Sequence, residues 1–186
     1  MIKALIFDCD GTLTDSMPVH FVAWQQVMRS VDVEFTEKRF YELAGMPGDK
    51  VIDAIANHLD PSTRMRLLEE REELFFASLN QVKPIEAVVD IAREHRDQLK
   101  MAVASGSIKA SVEKQLATIG VSKWFQAVVT AEDTTQHKPE PDVFLEAARR
   151  LDVPAANCRV YEDSDLGIEA AKRAGMEWVD VRPLYL

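Results

Sequence analysis

At 186 residues, with 47% hydrophobic and 28% charged side chains, the chain has enough apolar content to bury a sizeable core in one or two domains. A formal net charge of −9 without any Lys/Arg block argues against a nucleic-acid partner, and no apolar run approaches the roughly 20 residues of a membrane-spanning helix. Two cysteines, Cys9 and Cys158, make no disulfide framework, and the N-terminus lacks a basic region, a long apolar segment and a small-residue cleavage site, so the expected setting is the cytoplasm.

The first element predicted is a strand over Ile2–Phe7, short and rich in β-formers as a buried parallel strand is. It breaks into Asp8-Cys9-Asp10-Gly11-Thr12, where Gly11 permits a sharp turn. Ligands of a parallel sheet bind at the carboxyl ends of its strands, and Asp8 and Asp10 stand there. Two carboxylates so close repel unless a positive charge lies beside them, and an oxygen-only site suits Mg²⁺. The alternative is a solvated Asp-Gly turn. Cys9 reads as a small filler rather than a nucleophile, because no histidine neighbours it in sequence.

Residues 15–80 read as all-helical. Asp15 and Ser16 start a helix with Pro18 in its first turn and Phe21, Trp24, Val27 and Met28 at helical spacing. His20 and Trp24, four apart, share one face. Trp24 reads as core, and His20 as surface or pocket. Thr36 caps a second helix, which Leu43-Ala44-Gly45-Met46-Pro47-Gly48 ends, and a short helix follows over Lys50–Leu59. The longest helix runs from about Pro61 to Leu79, with Met65, Leu68, Leu74, Phe75 and Leu79 inward. Arg64, Glu69, Glu70, Arg71 and Glu73 form its solvated, ion-paired outer face.

After a linker over 80–84 the pattern alternates. Helices are expected over 86–96, 110–119, 141–151 and 166–174, and strands over 99–104, 127–130, 159–161 and 178–181. That alternation implies an α/β fold, a parallel sheet with right-handed crossovers. Residues 1–14 and 84–186 would form this core, interrupted after its first strand by a helical segment over 15–83.

Three polar clusters stand where strands meet helices. Ser105-Gly106-Ser107 combines hydroxyls with bare backbone N–H groups, an anion cradle or simply a helix cap. Lys138 lies in His137-Lys138-Pro139-Glu140-Pro141, where two prolines can hold it in place. Glu162-Asp163-Ser164-Asp165 follows a strand; its first two carboxylates could join a Mg²⁺ site while Ser164 and Asp165 cap the next helix.

Taken together, Asp8-x-Asp10-x-Thr12, Ser105, Lys138 and Glu162-Asp163 resemble, in order, the four motifs of the haloacid dehalogenase superfamily. The resemblance covers the whole chain, including a helical cap inserted after the first motif. It implies a Rossmann-like parallel sheet with helices on both faces plus that cap. The strings Asp-Gly-Thr-Leu-Thr-Asp-Ser, His-Lys-Pro-Glu-Pro-Asp-Val-Phe and Tyr-Glu-Asp-Ser-Asp-Leu-Gly-Ile-Glu-Ala-Ala are similar to the β-phosphoglucomutase-like branch. The length and the C-terminal Val-Asp-Val-Arg-Pro-Leu look most like the YqaB-type sugar phosphatases, associated with fructose 1-phosphate.

The resemblance implies Asp8 as nucleophile, forming an aspartyl-phosphate, and Asp10 as general acid and base. Mg²⁺ would be held by the Asp8 carboxylate, the Asp10 backbone carbonyl and Asp163, with Glu162 direct or through water. Ser105, Gly106 N–H and Lys138 would hold the phosphoryl oxygens. Thr12 would orient Asp10 or its loop, and His20 and Lys50 would read the substrate. Asp10 separates the chain from the dehalogenases and phosphonatases of the same fold, which lack an acid there. Mutases of the branch carry a Lys and an Arg in a cap loop where this chain has Ala44 and Gly48, and a basic residue where it has Ile108. Each lost charged hydrogen-bond partner costs about 1.5–3 kcal/mol. The expectation is therefore a phosphatase of small phosphorylated sugars, acting as a monomer, with a sugar-phosphate mutase or a catalytically silent binding protein of the same fold as the alternatives.

Overall fold

The computed structural model describes residues 1–185. Its strands are β1 (Ala4–Phe7), β2 (Lys100–Ala104), β3 (Ala127–Val129), β4 (Cys158–Glu162) and β5 (Glu177–Asp180). All pair in parallel, in the order β3-β2-β1-β4-β5. The central strand β1 is buried throughout, and Phe7 stands level with Val103 on one side and Tyr161 on the other. The residues that follow the strands, Asp8, Ser105 and Asp163, therefore come out along one edge of the sheet. The order reverses on either side of β1, which opens a crevice at that edge.

The helices that join these strands are α5 (Glu86–His95), α6 (Lys109–Thr118), α7 (Asp142–Leu151) and α8 (Asp165–Arg173). Period-two alternation sends Leu5 and Phe7 to one face, where they pack with Val88, Val89, Ala92, Val112 and Leu116 of α5 and α6. Ala4 and Ile6 point to the other face, against Phe144, Ala147, Ala148, Ala170 and Ala171 of α7 and α8. Alanines from both strand and helix on this second face let backbone approach backbone closely. Cys9 is buried in the first of these clusters, as a filler would be, and both cysteines are free.

Between β1 and α5 stand α1 (Met17–Arg29), α2 (Glu37–Glu42), α3 (Gly48–Ala56) and α4 (Pro61–Ala77). Thr36 caps α2 by accepting from Arg39 N–H, and Asp60 caps α4 by accepting from the N–H groups of Ser62 and Thr63. Trp24, Val27, Met28, Phe35, Phe40, Val51, Ile52 and Leu67 give these helices their own apolar cluster. The outgoing and returning segments lie side by side: Asp15 N–H donates to Lys83 O (2.8 Å) and Ile85 N–H to Leu13 O (3.0 Å).

Two readings of the sequence need correction. The buried stripe of α4 is Leu67, Arg71 and Phe75, whereas Met65 is 59% exposed. Residues four apart lie on one face, so the stripe runs through a charge that the outer-face assignment sent to solvent. The cap of α6 is Ile108, not a serine, which leaves the hydroxyls of Ser105 and Ser107 to the crevice. Among the described residues no helix is long and apolar enough to cross a membrane.

Candidate active site

Asp8, Lys138, Glu162 and Asp163 converge at the carboxyl ends of β1 and β4. Lys138 is fully buried, and its ammonium donates to Asp8 Oδ1 (2.6 Å) and Glu162 Oε2 (2.7 Å). The other Glu162 oxygen accepts from the N–H groups of Asp163 and Ser164 and from Ser164 Oγ (3.1, 2.9 and 2.8 Å). Of the two roles expected for Thr12, orienting Asp10 or its loop, the bond fits the second: the hydroxyl donates to Asp163 Oδ1 (2.8 Å) and not to Asp10. Two glycines make the room. A Cβ on Gly11, which turns at φ +83°, would lie 2.2 Å from Asp163 Oδ2, and one on Gly167 would lie 2.1 Å from the Glu162 carboxyl.

Asp8, Glu162 and Asp163 each offer an oxygen within 4.8 Å of the others. Two buried carboxylates and a partly buried third thus face one ammonium. Burial first, and then the charge of Glu162, pushes the Asp8 carboxyl well above the usual carboxylate range. The same two causes push Asp163 up to about 8. Burial opposes the Lys138 charge, but Asp8 and Glu162 outweigh it and hold the ammonium above its ordinary value. The excess negative charge and the all-oxygen donor set fit a hard divalent cation. Because both Glu162 oxygens are already hydrogen-bonded, Asp8 and Asp163 are the better direct donors.

Asp10, two residues on, sits in the opposite environment. Its Oδ1 accepts from Ser16 Oγ (2.7 Å), His20 Nε2 (2.8 Å) and Gln115 Nε2 (2.8 Å), and its Oδ2 from Ser107 Oγ (2.7 Å). Burial opposes charge here too, but His20, Ser16 and Ser107 outweigh it and hold the carboxyl well below the usual range. With its oxygens so occupied, only the Asp10 backbone carbonyl is left as a metal donor. Ser105 is buried, accepts from Ser107 N–H (3.0 Å), and keeps its own hydrogen to donate.

The helices close this crevice from above. A Cβ on Gly106 would lie 2.2 Å from Gly45 O, so the loop after α2 rests directly on the Ser105-Gly106 turn. Between them lies a pocket with about 660 Å³ of empty space, part of it open to solvent. Its floor carries Asp8, Asp10, Ser105, Gly106, Ser107 and Glu162. Its roof is mostly apolar, with Met17, Trp24, Phe40, Leu43, Met46 and Val51. His20 stacks on Phe75, ring centroids 3.8 Å apart.

Arg71 is the roof residue that the sequence reading sent to solvent. It is buried, lies 5.0 Å over the Trp24 ring, reaches His20 Nδ1 (3.3 Å) and pairs with Glu72. An arginine has no acceptor, so Nδ1 accepts and Nε2 carries the hydrogen that goes to Asp10. Gly48 admits the guanidinium, since a Cβ there would come within 3.0 Å of Nη2. The signal was the 67/71/75 spacing. Lys50, by contrast, does not line the pocket. It is exposed and 3.5 Å from Asp49, because the inward positions of α3 are Val51 and Ile52.

A family model described as haloacid dehalogenase-like hydrolase matches residues 5–181. The fructose-1-phosphate phosphatase YqaB of Escherichia coli is 39% identical over 184 residues, 97% of this chain and 96% of that protein. The β-phosphoglucomutase of Bacillus subtilis is 30% identical over 97% of this chain and 83% of its own length. Among solved structures, a β-phosphoglucomutase from Clostridium difficile superposes with a TM-score of 0.90 at 25% identity, covering 97% of this chain and 84% of that one.

Proposed function

The chain belongs to the haloacid dehalogenase-like hydrolases and is a phosphatase, and from that premise we propose that it hydrolyses small sugar phosphates of the fructose 1-phosphate kind, with Mg²⁺, through an aspartyl-phosphate. The observation that carries this reading is the contrast between Asp8 and Asp10 on one pocket floor. Among the described residues the Asp8 carboxylate is bonded only to Lys138, whereas that of Asp10 is held by four donors. Residues 15–83 act as the cap. We propose a monomer in the reducing cytoplasm, a setting that two free buried cysteines suit.

Asp8 attacks phosphorus, and the sugar oxygen leaves with a proton from Asp10, which is ionised at rest and takes that proton up as the phosphate ester enters. Asp10, then a carboxylate, takes a proton from the water that cleaves the aspartyl-phosphate. Ser105 Oγ, Gly106 N–H and Lys138 hold the transferring oxygens, supplying the positioning that phosphoryl transfer requires. Asp8, Asp163 and the Asp10 carbonyl would hold Mg²⁺, with Glu162 behind them orienting Lys138. Bound there, the cation offsets the charge of nucleophile and phosphate. The cap excludes bulk water and presents Arg71 and His20 to the sugar.

A mutase needs a second phosphate to be gripped by the cap. Ala44, Gly48 and Ile108 bring no charge to the pocket, and Glu72 already neutralises Arg71. That favours a neutral sugar end, and water as the second acceptor. The test is incubation with fructose 1-phosphate and glucose 1-phosphates, with Mg²⁺ or EDTA. Free phosphate released only with Mg²⁺ is expected. Isomerised sugar phosphate without phosphate release would replace the phosphatase reading by the mutase one.

A further inference from the structure

Gln115 lies on α6, is fully buried, and does not line the pocket. One of its amide hydrogens nevertheless reaches Asp10 Oδ1 at 2.8 Å. Its amide nitrogen also meets Ser111 Oγ at 3.3 Å, and its carbonyl accepts from Thr14 Oγ1 at 2.7 Å. Turned the other way, the amide would aim its oxygen at a carboxylate oxygen, so Asp10 fixes its orientation. Every polar group of this amide is used. Such complete burial is otherwise unfavourable.

The two ends of this bridge differ in kind. Thr14 stands where the chain leaves the sheet for the cap, and it forms bridges to both Asp10 and Pro84. Asp10 carries the proton. Of its other donors, Ser16 and His20 belong to the start of α1, in the helical segment, while Ser107 belongs to the turn after β2. Gln115 is the donor to Oδ1 that is anchored on the sheet side. Together with Ser107 on Oδ2, it ties the carboxylate to the floor independently of the helical segment.

We infer that Gln115 is a positioning residue for the acid/base step: it holds Asp10 by Oδ1 from the sheet side and leaves Oδ2, bonded only to Ser107, to serve the leaving group. The inference rests on the phosphatase reading above. As the P–O bond breaks, its electron pair stays on the sugar oxygen, which takes the Asp10 proton. An ester whose leaving group needs no proton is therefore insensitive to where Asp10 points.

The experiment compares kcat/KM of the wild type, Q115M and Q115N on fructose 1-phosphate and on p-nitrophenyl phosphate, with Mg²⁺. Q115M keeps the volume and removes the hydrogen bonds. Q115N keeps a neutral polar amide and draws it back from Asp10 by one methylene. For both we expect a roughly 10- to 100-fold loss on the sugar ester and less than about 3-fold on the aryl ester, the range in which a general acid contributes. If Q115M fails to fold, Q115N carries the comparison. Equal losses on the two esters, or wild-type rates in either folded variant, overturn the inference. A wild type that cleaves neither ester overturns the phosphatase reading instead.

Discussion

Replacing Lys138 by Met tests the electrostatics of the floor most directly. The ammonium lies 2.6 Å from Asp8 and 2.7 Å from Glu162, and all three side chains are buried. Met keeps most of the stem's packing and deletes the charge, so two carboxylates lose their common partner. Removing one member of a buried ion pair costs about 3–5 kcal/mol. For a protein of this size each kcal/mol moves Tm by about 2–4 °C, so the expected fall is roughly 6–20 °C. The assay is a thermal melt in EDTA at pH 8, repeated at pH 5. Without the ammonium the Asp8 carboxyl, already raised by burial and by Glu162, rises further. Protonation then relieves the penalty, so the gap to wild type is widest at pH 8 and narrows at pH 5. Mg²⁺ would also narrow it, by supplying positive charge. A K138M protein melting within 2–3 °C of wild type at pH 8, or a gap that widens in acid, refutes the reasoning.

The remaining predictions concern one residue each. D163N removes a carboxyl pushed from 3.8 to about 8. A native pKa raised above the unfolded one makes the metal-free protein lose stability as pH rises from about 4 to 8; D163N therefore melts higher than wild type at pH 8.5 in EDTA, with a flatter pH profile and a weaker gain on adding Mg²⁺. D8N releases no phosphate, at least about 1,000-fold below wild type, and traps no acid-quenched phosphoenzyme, while its circular dichroism stays native. R71M raises KM for fructose 1-phosphate about 10-fold, one charged hydrogen bond's worth, and also lowers Tm because Glu72 loses its partner. R71M/E72Q recovers the Tm and not the KM; recovery of both would assign Arg71 a purely structural role.

The sheet was legible because its signals are local. β1, β2 and β4 are short apolar runs, and Gly11, Gly106, Gly120 and Gly175 punctuate the chain after β1, β2, α6 and α8; burial on both faces leaves little else such runs can form. Asp8, Asp10, Ser105, Lys138, Glu162 and Asp163 were legible for a related reason, since each follows a strand or precedes a helix. Arg71 and Gln115 were not. Both are polar residues on the inward face of a helix, where periodicity assigns apolar ones, and each is stable there only because of partners far away in sequence. Arg71 needs Trp24 and His20, and Gln115 needs Asp10 and Thr14. Lys50 failed in the opposite way: a cation near the cap loop suggested a ligand, but Val51 and Ile52 take the inward positions.

The division of labour proposed for Asp8 and Asp10 rests on which partners the turn gives each. Asp8 continues β1 and emerges between β2 and β4, where Glu162 and Asp163 already stand, so its company is anionic and its one hydrogen bond comes from Lys138. Asp10 lies past the start of the turn, bridged to Thr14, where hydroxyls, an imidazole and an amide donate to it. A nucleophile needs an oxygen free of strong donors, and Asp8 Oδ2 has none among the described residues. A proton carrier needs the reverse, a carboxylate fixed at several points so that its proton is delivered to one place. Exchanging the two roles would put the nucleophile under four donors and the proton carrier among three charges. The order in which Asp8 and Asp10 follow β1 therefore supports the roles proposed for them.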